Sequence, residues 1–423
     1  MTLGSVSGAG IEDWAAPTTP GSRFPALTTH LPRKLWIPLL LLVIASIPWR
    51  RGVYFSGGLD TVVLLKAAIT VIAAAIALPT ARVTHRRVPA APFLLLGLYL
   101  FASAVGASMY GDLVPSLALV LRVGLAAVVV HSLLTSFHPF DVIAALTRVM
   151  LAVGLFAALT GLPTLVSGRL SGGVPPIAPN EIAILCGVPF IVLFWRAVYV
   201  ERTAGLVLLT ATLAGIVFAT ASRTGIALLV ASSVLALVRA RHVRATVMVA
   251  AFASLPLLFY VVFYTDAVAG FLDRGGTGNT ATLNSRTIAW SAAVDLAREP
   301  LQHLLGAGMS RKIIPVSGQY WSSQTLDSTW VSTLVQAGYI GLLLLVGLIV
   351  FGASAAVATV RPVSVLLVVL LVFSVGRSIL ESGMMDASSG FLTFFVVVAA
   401  AGAHQMQRNV DDPVENGRST PTR

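Results

Sequence analysis

Long apolar runs follow one another along the chain, separated by short polar segments. The runs are roughly 16–25 residues long, the length of an α-helix that crosses the hydrocarbon core of a bilayer. A membrane β-barrel would instead show alternating segments of ~10 residues. By run length the sequence predicts about twelve membrane-spanning helices. They lie near residues 35–49, 59–79, 90–110, 113–135, 140–166, 181–200, 204–221, 224–239, 245–264, 328–352, 362–380 and 387–404.

One polar segment, residues 265–327, interrupts this pattern and divides the chain. Before it, residues 1–34 form a tail rich in Gly, Pro, Ser and Thr that we expect to be disordered, and residues 35–264 hold spans one to nine. After it come spans ten to twelve, in residues 328–404, and a short tail, residues 405–423.

Composition supports a membrane location. Hydrophobic residues make up 57% of the chain and charged residues 11%, whereas a soluble domain carries about 25% charged residues. The sequence therefore predicts an all-α, polytopic helical membrane protein.

The distribution of lysine and arginine predicts the orientation. Fifteen of the 28 lysines and arginines fall in segments that share one side of the membrane with the N-terminus. Short cytoplasmic loops carry the excess of positive charge, so both termini are expected inside and residues 265–327 outside. The net charge of +11 is then a signal of orientation, and no nucleic-acid partner is expected. No soluble cytoplasmic domain and no phosphate-binding loop for ATP is present in this pattern.

Two outer segments carry arginines beside helix starts. Arg223, after Ser222, sits between two apolar runs, where a guanidinium offers planar donors to a phosphate and a helix N-terminus favours anions. An arginine that merely reaches the interface is the alternative. Arg169 and Asn180 lie in the preceding outer loop, for which an ordinary turn is the alternative.

The long loop supplies a second candidate platform. A helix from Asn284 or Ser285 to Glu299 is predicted, ended by Pro300. Arg286 and Trp290 would share a face of this helix and could hold an anion and a sugar ring. An amphipathic helix at the membrane interface is the alternative.

Lys66 and Arg122 lie within the apolar runs of the second and fourth predicted spans. Such residues are functional candidates by default, so both are expected to bind substrate. A structural ion pair, for example between Lys66 and Asp60, is the alternative.

Asp327, at the start of the tenth span, could accept a proton from a sugar hydroxyl, or cap the helix that follows. His303 is a second candidate base, but its apolar neighbours favour packing. The histidines show no ligand spacing, so no metal and no cofactor is expected.

Several short motifs occur together in a fixed order. They are Arg169…Gly172…Pro179-Asn180, Ser222-Arg223, Ser285-Arg286…Trp290, Gly306-Ala307-Gly308, Asp327-Ser328-Thr329-Trp330 and Gly338-Tyr339-Ile340-Gly341. This set, across about 165 to 345, resembles the superfamily of O-antigen ligases and O-antigen polymerases, which are polytopic membrane glycosyltransferases.

The resemblance implies an activity at the outer face of the plasma membrane. A glycan would pass from an undecaprenyl pyrophosphate donor to a hydroxyl-bearing glycan or lipid acceptor, without a metal. Arg223 and Arg286 would bind the pyrophosphate. Ligase-type members carry a His-Asn pair where this chain has Asp327-Ser328, and this departure favours polymerisation or a different acceptor. Other polysaccharide-assembly membrane proteins are possible partners.

Two other functions stay open at this stage. One is a secondary transporter, which would place ionisable residues at the bilayer midplane and often shows paired broken helices; the sequence shows no such helix. The other is a non-catalytic subunit of an envelope-assembly complex.

Overall fold

The computed structural model describes residues 31–49, 61–82, 86–239, 288–297, 299–316 and 323–411. Within these ranges the chain is mostly helical, and eight helices are long and apolar enough to cross a membrane. These eight are α2 (Thr61–Ala77, continued by a 3-10 turn, Leu78–Arg82), α3 (Ala91–Tyr110), α4 (Leu113–Ser136), α5 (Pro139–Thr160), α6 (Pro179–Tyr199), α11 (Thr329–Ala358), α12 (Val363–Leu380) and α13 (Ser389–Asp411).

The other elements are shorter. They are the helices α1 (Arg33–Ser46), α7 (Ala204–Ala219), α8 (Arg223–Val238), α9 (288–294) and α10 (Pro300–Leu305), a 3-10 turn (Leu162–Ser167), and the antiparallel strands β1 (Ile313–Pro315) and β2 (Ser323–Thr325).

The prediction of a polytopic helical membrane protein is confirmed in its main features. Eight predicted spans coincide with the eight long helices, and three more coincide with the shorter helices α1, α7 and α8. The ninth predicted span, near 245–264, lies outside the described residues, as does the part of the long loop over 265–287.

Local sequence sets where several helices begin. The side chains of Thr203 and Ser222 accept hydrogen bonds from backbone N–H groups three residues further on, at the starts of α7 and α8. Pro139, Pro179 and Pro300 occupy the first position of α5, α6 and α10, where a missing N–H costs nothing.

The helices differ in how much of their surface is enclosed. In α6, 78% of the most apolar stretch is buried by the rest of the molecule, and in α13 83% is buried. The corresponding share in α2 is 22%. Helices that are apolar on every side are expected in a membrane, because lipid replaces the polar face. α6 and α13 thus form the centre of the bundle, while α2 is peripheral.

Hydrogen bonds tie the ends of several helices to the described part of the long loop, residues 288–297, 299–316 and 323–327. We call this end of the bundle the loop end. There Tyr110 donates a hydrogen bond to Glu299 (3.1 Å), and the Ser116 and Ser310 hydroxyls are 2.8 Å apart. The end of α3 and the start of α4 are therefore fixed against this segment.

α11 is broken at Gly338, whose φ of 66° and ψ of −161° are not helical. The Gly306-Ala307-Gly308 segment docks beside the break. The Ala307 and Gly308 N–H groups donate to the Val335 and Gln336 carbonyls, at 2.8 and 3.0 Å. A Cβ at Gly338 would lie 2.3 Å from the Leu304 carbonyl. The sequence did not predict this single break, because the partner that stabilises it is about thirty residues away in the chain.

The helix predicted from Asn284 or Ser285 to Glu299 is also corrected. Its described part, α9, ends at 294, and Pro300 begins the separate helix α10. Ala289 and Ala293 of α9 are buried in a small apolar cluster with Ile314 of β1. The loop therefore has a core of its own, which positions the β1–β2 hairpin beside the start of α11.

Candidate functional site

A polar network joins three helices at the loop end. The Asn180 amide donates to the Glu381 carboxylate at 2.6 Å, and the Asn180 carbonyl accepts a hydrogen bond of 3.0 Å from Arg377. The Arg377 guanidinium also lies 4.0 Å from the Glu181 carboxylate, which accepts a 2.7 Å bond from Ser389. The starts of α6 and α13 are thus tied to the end of α12.

Arg377 was counted from the sequence as an outer-loop residue and was not assigned to the site. It lies in the last turn of α12 with its side chain buried. A buried guanidinium needs carboxylate and carbonyl partners, and Glu181 and Asn180 supply them. The signal in the sequence was the occurrence of opposite charges at the outer ends of two predicted spans.

Arg169 and the start of α8 lie together. The Arg169 side chain donates through Nε to the Thr220 carbonyl at 3.1 Å, three residues before Arg223. Ser222 is the N-cap of α8, and its hydroxyl accepts from the Gly225 N–H at 3.3 Å. Arg223 is the first residue of the helix and is half-buried. The predicted helix start beside Arg223 is therefore confirmed.

The start of α8 belongs to the loop end. A Cβ on Gly225 would be 3.1 Å from the Ala183 side chain, one turn into α6. Because Asn180 precedes Ala183 in that turn, Arg169 and Arg223 share this end of the bundle with the Asn180–Glu381 network.

Asp327 lies between β2 and α11. It is half-buried, and its carboxylate accepts a 3.1 Å bond from the Thr325 hydroxyl. Ser328 occupies the N-cap position of α11 and makes no side-chain capping bond. Asp327 is therefore not the N-cap residue, and its role as a base stays a prediction.

Lys66 and Arg122 both contact the end of α1. The Lys66 ammonium donates to the Ile47 carbonyl at 2.7 Å and lies 5.9 Å from the Trp49 ring. Arg122 donates to the Ala45 carbonyl at 3.1 Å. A helix C-terminus carries partial negative charge and favours cations. These contacts are structural, whereas Asp60, the partner suggested from sequence, lies outside the described residues.

The remaining candidates are more scattered. The His303 ring stacks on Tyr339, with 6.1 Å between ring centroids. Trp290 is half-buried on α9. Arg286 lies outside the described residues, so its predicted contact with pyrophosphate stays a prediction.

An ion pair that the sequence did not assign to the site links the loop to the last span. Lys312, beside β1, pairs with Asp386, just before α13. Burial would raise the pKa of the Asp386 carboxyl, but the positive charges of Lys312 and Arg122 outweigh it and hold that pKa below its ordinary value. Asp386 is therefore a carboxylate at neutral pH.

A cleft of about 490 Å³ opens beside this pair. Its walls are β2, the first two turns of α11 and the segment before α13. The lining residues are Lys312, Thr325, Leu326, Thr329, Ser332, Thr333, Gln336, Ser382, Gly383, Met385 and Asp386. Five of the eleven lining residues carry a hydroxyl group and one carries an amide. Elsewhere in the described ranges, no group of three or more His, Cys, Asp or Glu residues has the arrangement of a metal site.

Comparison with known families adds a sequence match to this geometry. The model of the O-antigen ligase family matches residues 206–346. This confirms the resemblance that the motifs indicated. The matched segment is about a third of the chain and runs from α7 through α8 to the broken helix α11. It includes Arg223 and Asp327, whereas Arg169, Asn180, Arg377 and Asp386 lie outside it. No curated protein matches the chain.

The apolar helices support a membrane protein, and the match makes residues 206–346 similar to O-antigen ligases, which supports a function in polysaccharide biosynthesis. A glycosyl-transferring enzyme is the corresponding activity class.

Proposed function

We propose that the protein transfers a glycan from a polyprenyl pyrophosphate donor to a hydroxyl acceptor at the outer face of the plasma membrane. The observation that best supports this is the contact of Arg169 with the segment that begins α8. Arg169 contacts the residues that precede Arg223 at the loop end, which also carries Asp327. Arg223 and Asp327 lie in the segment whose sequence matches the O-antigen ligase family. Two guanidiniums offer the planar donors that recognise phosphate oxygens.

In the proposed reaction the acceptor oxygen attacks C1 of the donor sugar. The bond between C1 and the pyrophosphate oxygen breaks, and the polyprenyl pyrophosphate leaves. Asp327 takes the proton of the acceptor hydroxyl. Arg169, Arg223 and Arg286 stabilise the negative charge that develops on the leaving group, so we expect no requirement for a metal or for ATP.

Ligase-type members carry a His-Asn pair where this chain has Asp327-Ser328. This difference favours a polymerase, or transfer to an acceptor other than the one that ligase-type members use. The predicted orientation, with both termini in the cytoplasm, places the loop end and its arginines on the outer face, where lipid-linked glycans are consumed.

The transporter alternative receives less support. A transporter uses the open carbonyls of broken helices to coordinate ions. In α11 the Val335 and Gln336 carbonyls next to the break already accept hydrogen bonds from Ala307 and Gly308.

Reconstitution tests the proposal. Purified protein in proteoliposomes should lengthen or transfer glycan from an undecaprenyl pyrophosphate-linked oligosaccharide, without added metal or nucleotide. A single displacement should invert the configuration at C1, which NMR of the product reads directly. Absence of transfer would reject the enzyme proposal, and retention would reject the single displacement.

A further inference from the structure

We infer that the cleft beside Lys312 and Asp386 binds a neutral sugar segment of the acceptor glycan, and not the pyrophosphate of the donor. The inference rests on the proposed function and assigns a substrate subsite within it.

The charges of the cleft favour a neutral ligand. Lys312 and Asp386, the charged side chains of the lining, pair with each other. A pyrophosphate needs cations that are not already neutralised. Lys66 and Arg122 lie nearby but outside the lining, and they donate to the carbonyls at the end of α1. An additional anion in the cleft would therefore have to compete with the Asp386 carboxylate for the Lys312 ammonium.

The neutral part of the lining suits sugar hydroxyls. The described wall offers hydroxyl groups from five serines and threonines, together with the Gln336 amide. The Gln336 side chain is held by a 3.3 Å bond to the Arg311 carbonyl. Thr329 donates to the Glu381 carbonyl and accepts from the Met384 N–H, at 2.9 and 3.3 Å, so it fixes the opposite wall.

Thr333 provides an independent indication of a ligand. Its side chain is fully buried, and its hydroxyl faces the Tyr99 hydroxyl. Neither hydroxyl bonds to any further donor or acceptor among the described residues. A sugar hydroxyl in the cleft would give this buried pair a further hydrogen-bond partner.

The position of Asp327 assigns the cleft to the acceptor. Thr325 lines the cleft and donates to the Asp327 carboxylate at 3.1 Å. A general base must lie within hydrogen-bond reach of the hydroxyl that it deprotonates. A sugar bound in the cleft is therefore next to the candidate base.

The test uses Thr333→Val, which removes the hydroxyl but keeps the shape of the side chain. Thr147→Val is the matched control, because Thr147 is also buried in a span and donates its hydroxyl to Ile143, four residues back, at 2.8 Å, away from the cleft. Ser382→Ala alters the exposed rim of the cleft. The probe is a soluble repeat-unit oligosaccharide released from the cell-surface polysaccharide of the host.

Saturation-transfer NMR on the purified full-length protein measures binding without turnover. Thr333→Val should weaken oligosaccharide binding on the order of tenfold, as expected for one lost hydrogen bond, and Ser382→Ala by a few-fold. Thr147→Val should bind as wild type. In transfer assays the KM for acceptor should rise with kcat retained. Millimolar inorganic pyrophosphate should leave oligosaccharide binding unchanged.

Three results would overturn the inference: no binding of the oligosaccharide to wild type, wild-type binding in both cleft variants, or displacement of the oligosaccharide by pyrophosphate. These outcomes are separate from failure of the proposed function. If the wild type transfers glycan while the cleft variants bind normally, the enzyme proposal stands and the subsite is wrong. If the wild type binds oligosaccharide but transfers nothing, the enzyme proposal fails.

Discussion

At the scale of single residues, the lysines and arginines near the loop end differ in their position and in their hydrogen-bond and ion-pair partners. Lys66 and Arg122 donate to carbonyls at the end of α1, and Lys312 and Arg377 pair with carboxylates. Arg169 donates to the Thr220 carbonyl and lies with Arg223 at the start of α8, where the helix N-terminus adds favourable N–H groups for an anion. We propose that these two arginines bind substrate because of this position, whereas the other four cations hold the bundle together.

Asp327→Asn tests the proposed base. Asparagine can still accept the hydrogen bond from Thr325, so the fold should be retained while the proton acceptor is lost. The transfer rate should fall by about 10²–10⁴-fold. The measurement is kcat across pH in proteoliposomes, with Asp295→Asn, an exposed acid of the same loop, as control. A near-normal rate at every pH would remove Asp327 from the mechanism.

The Lys312–Asp386 pair predicts a pH-dependent stability. Its two side chains are 22% and 20% exposed, so Asp386→Asn should lower the free energy of unfolding by about 1–3 kcal/mol at neutral pH. Because the pKa of Asp386 is lowered in the folded state, this stabilisation is present above the ordinary pKa and is lost as the pH falls below it.

Thermal unfolding of wild type and Asp386→Asn in detergent, from pH 7 down to pH 3, measures this difference. The two proteins should converge at the acid end. A stability difference that stays constant down to pH 3, or that is absent at pH 7, would contradict the account of the pair.

At the scale of elements, the broken helix α11 and the segment that docks on it form one unit. The break frees carbonyls, and a buried carbonyl requires a donor. Ala307 and Gly308 supply those donors because the flanking glycines Gly306 and Gly308, with φ of 72° and 92°, allow the chain to turn into the gap.

Gly338→Ala tests this unit. A side chain at φ 66° is strained, and its Cβ would lie 2.3 Å from the Leu304 carbonyl. The strain alone should cost about 1–3 kcal/mol, and displacement of the loop should reduce transfer. Gly347→Ala is the control in the same helix, because its Cβ would meet only the Leu95 side chain at 3.6 Å. Equal unfolding temperatures for the two variants would argue against the docking role.

Helix positions could be predicted from the sequence, but the break could not. Apolar run length locates α2 to α6 and α11 to α13 within a few residues, since the bilayer sets both length and composition. The break at Gly338 depends on a contact with Ala307. Likewise, Arg377 lies in an apolar run, and only the neighbouring Glu181 explains its burial. Contacts between distant segments leave no periodic signal in the sequence.

At the scale of the whole molecule, the bundle presents its polar groups at one end. Arg169, Asn180, Arg223 and Asp327 were chosen from the sequence and share the loop end, although the described cleft is lined by none of them. What the sequence could not provide was their mutual arrangement, because that depends on how α6, α8, α11 and α12 pack. The peripheral helix α2 is more apolar in sequence than the central helices α6 and α13, as expected for a helix that faces lipid, but this difference does not give the packing order.

Labelling tests the predicted orientation. A cysteine introduced as Ser323→Cys, exposed in the hairpin at the loop end, should react with a membrane-impermeant maleimide in intact cells or spheroplasts. Arg202→Cys, exposed between α6 and α7 at the other end, should react only after permeabilisation. The native Cys186 is buried and should not interfere. The reverse pattern would place the loop end in the cytoplasm and contradict the proposed site of reaction.

The central claim is that the arginines at the start of α8 bind the phosphates of a lipid-linked donor. Arg223→Ala and Arg239→Ala offer the most direct comparison, since they remove the same residue type from the two ends of one helix. We predict that Arg223→Ala abolishes glycan transfer in proteoliposomes at unchanged protein level and unfolding temperature, while Arg239→Ala transfers like wild type. Normal transfer by Arg223→Ala, or equal loss in both variants, would contradict the account.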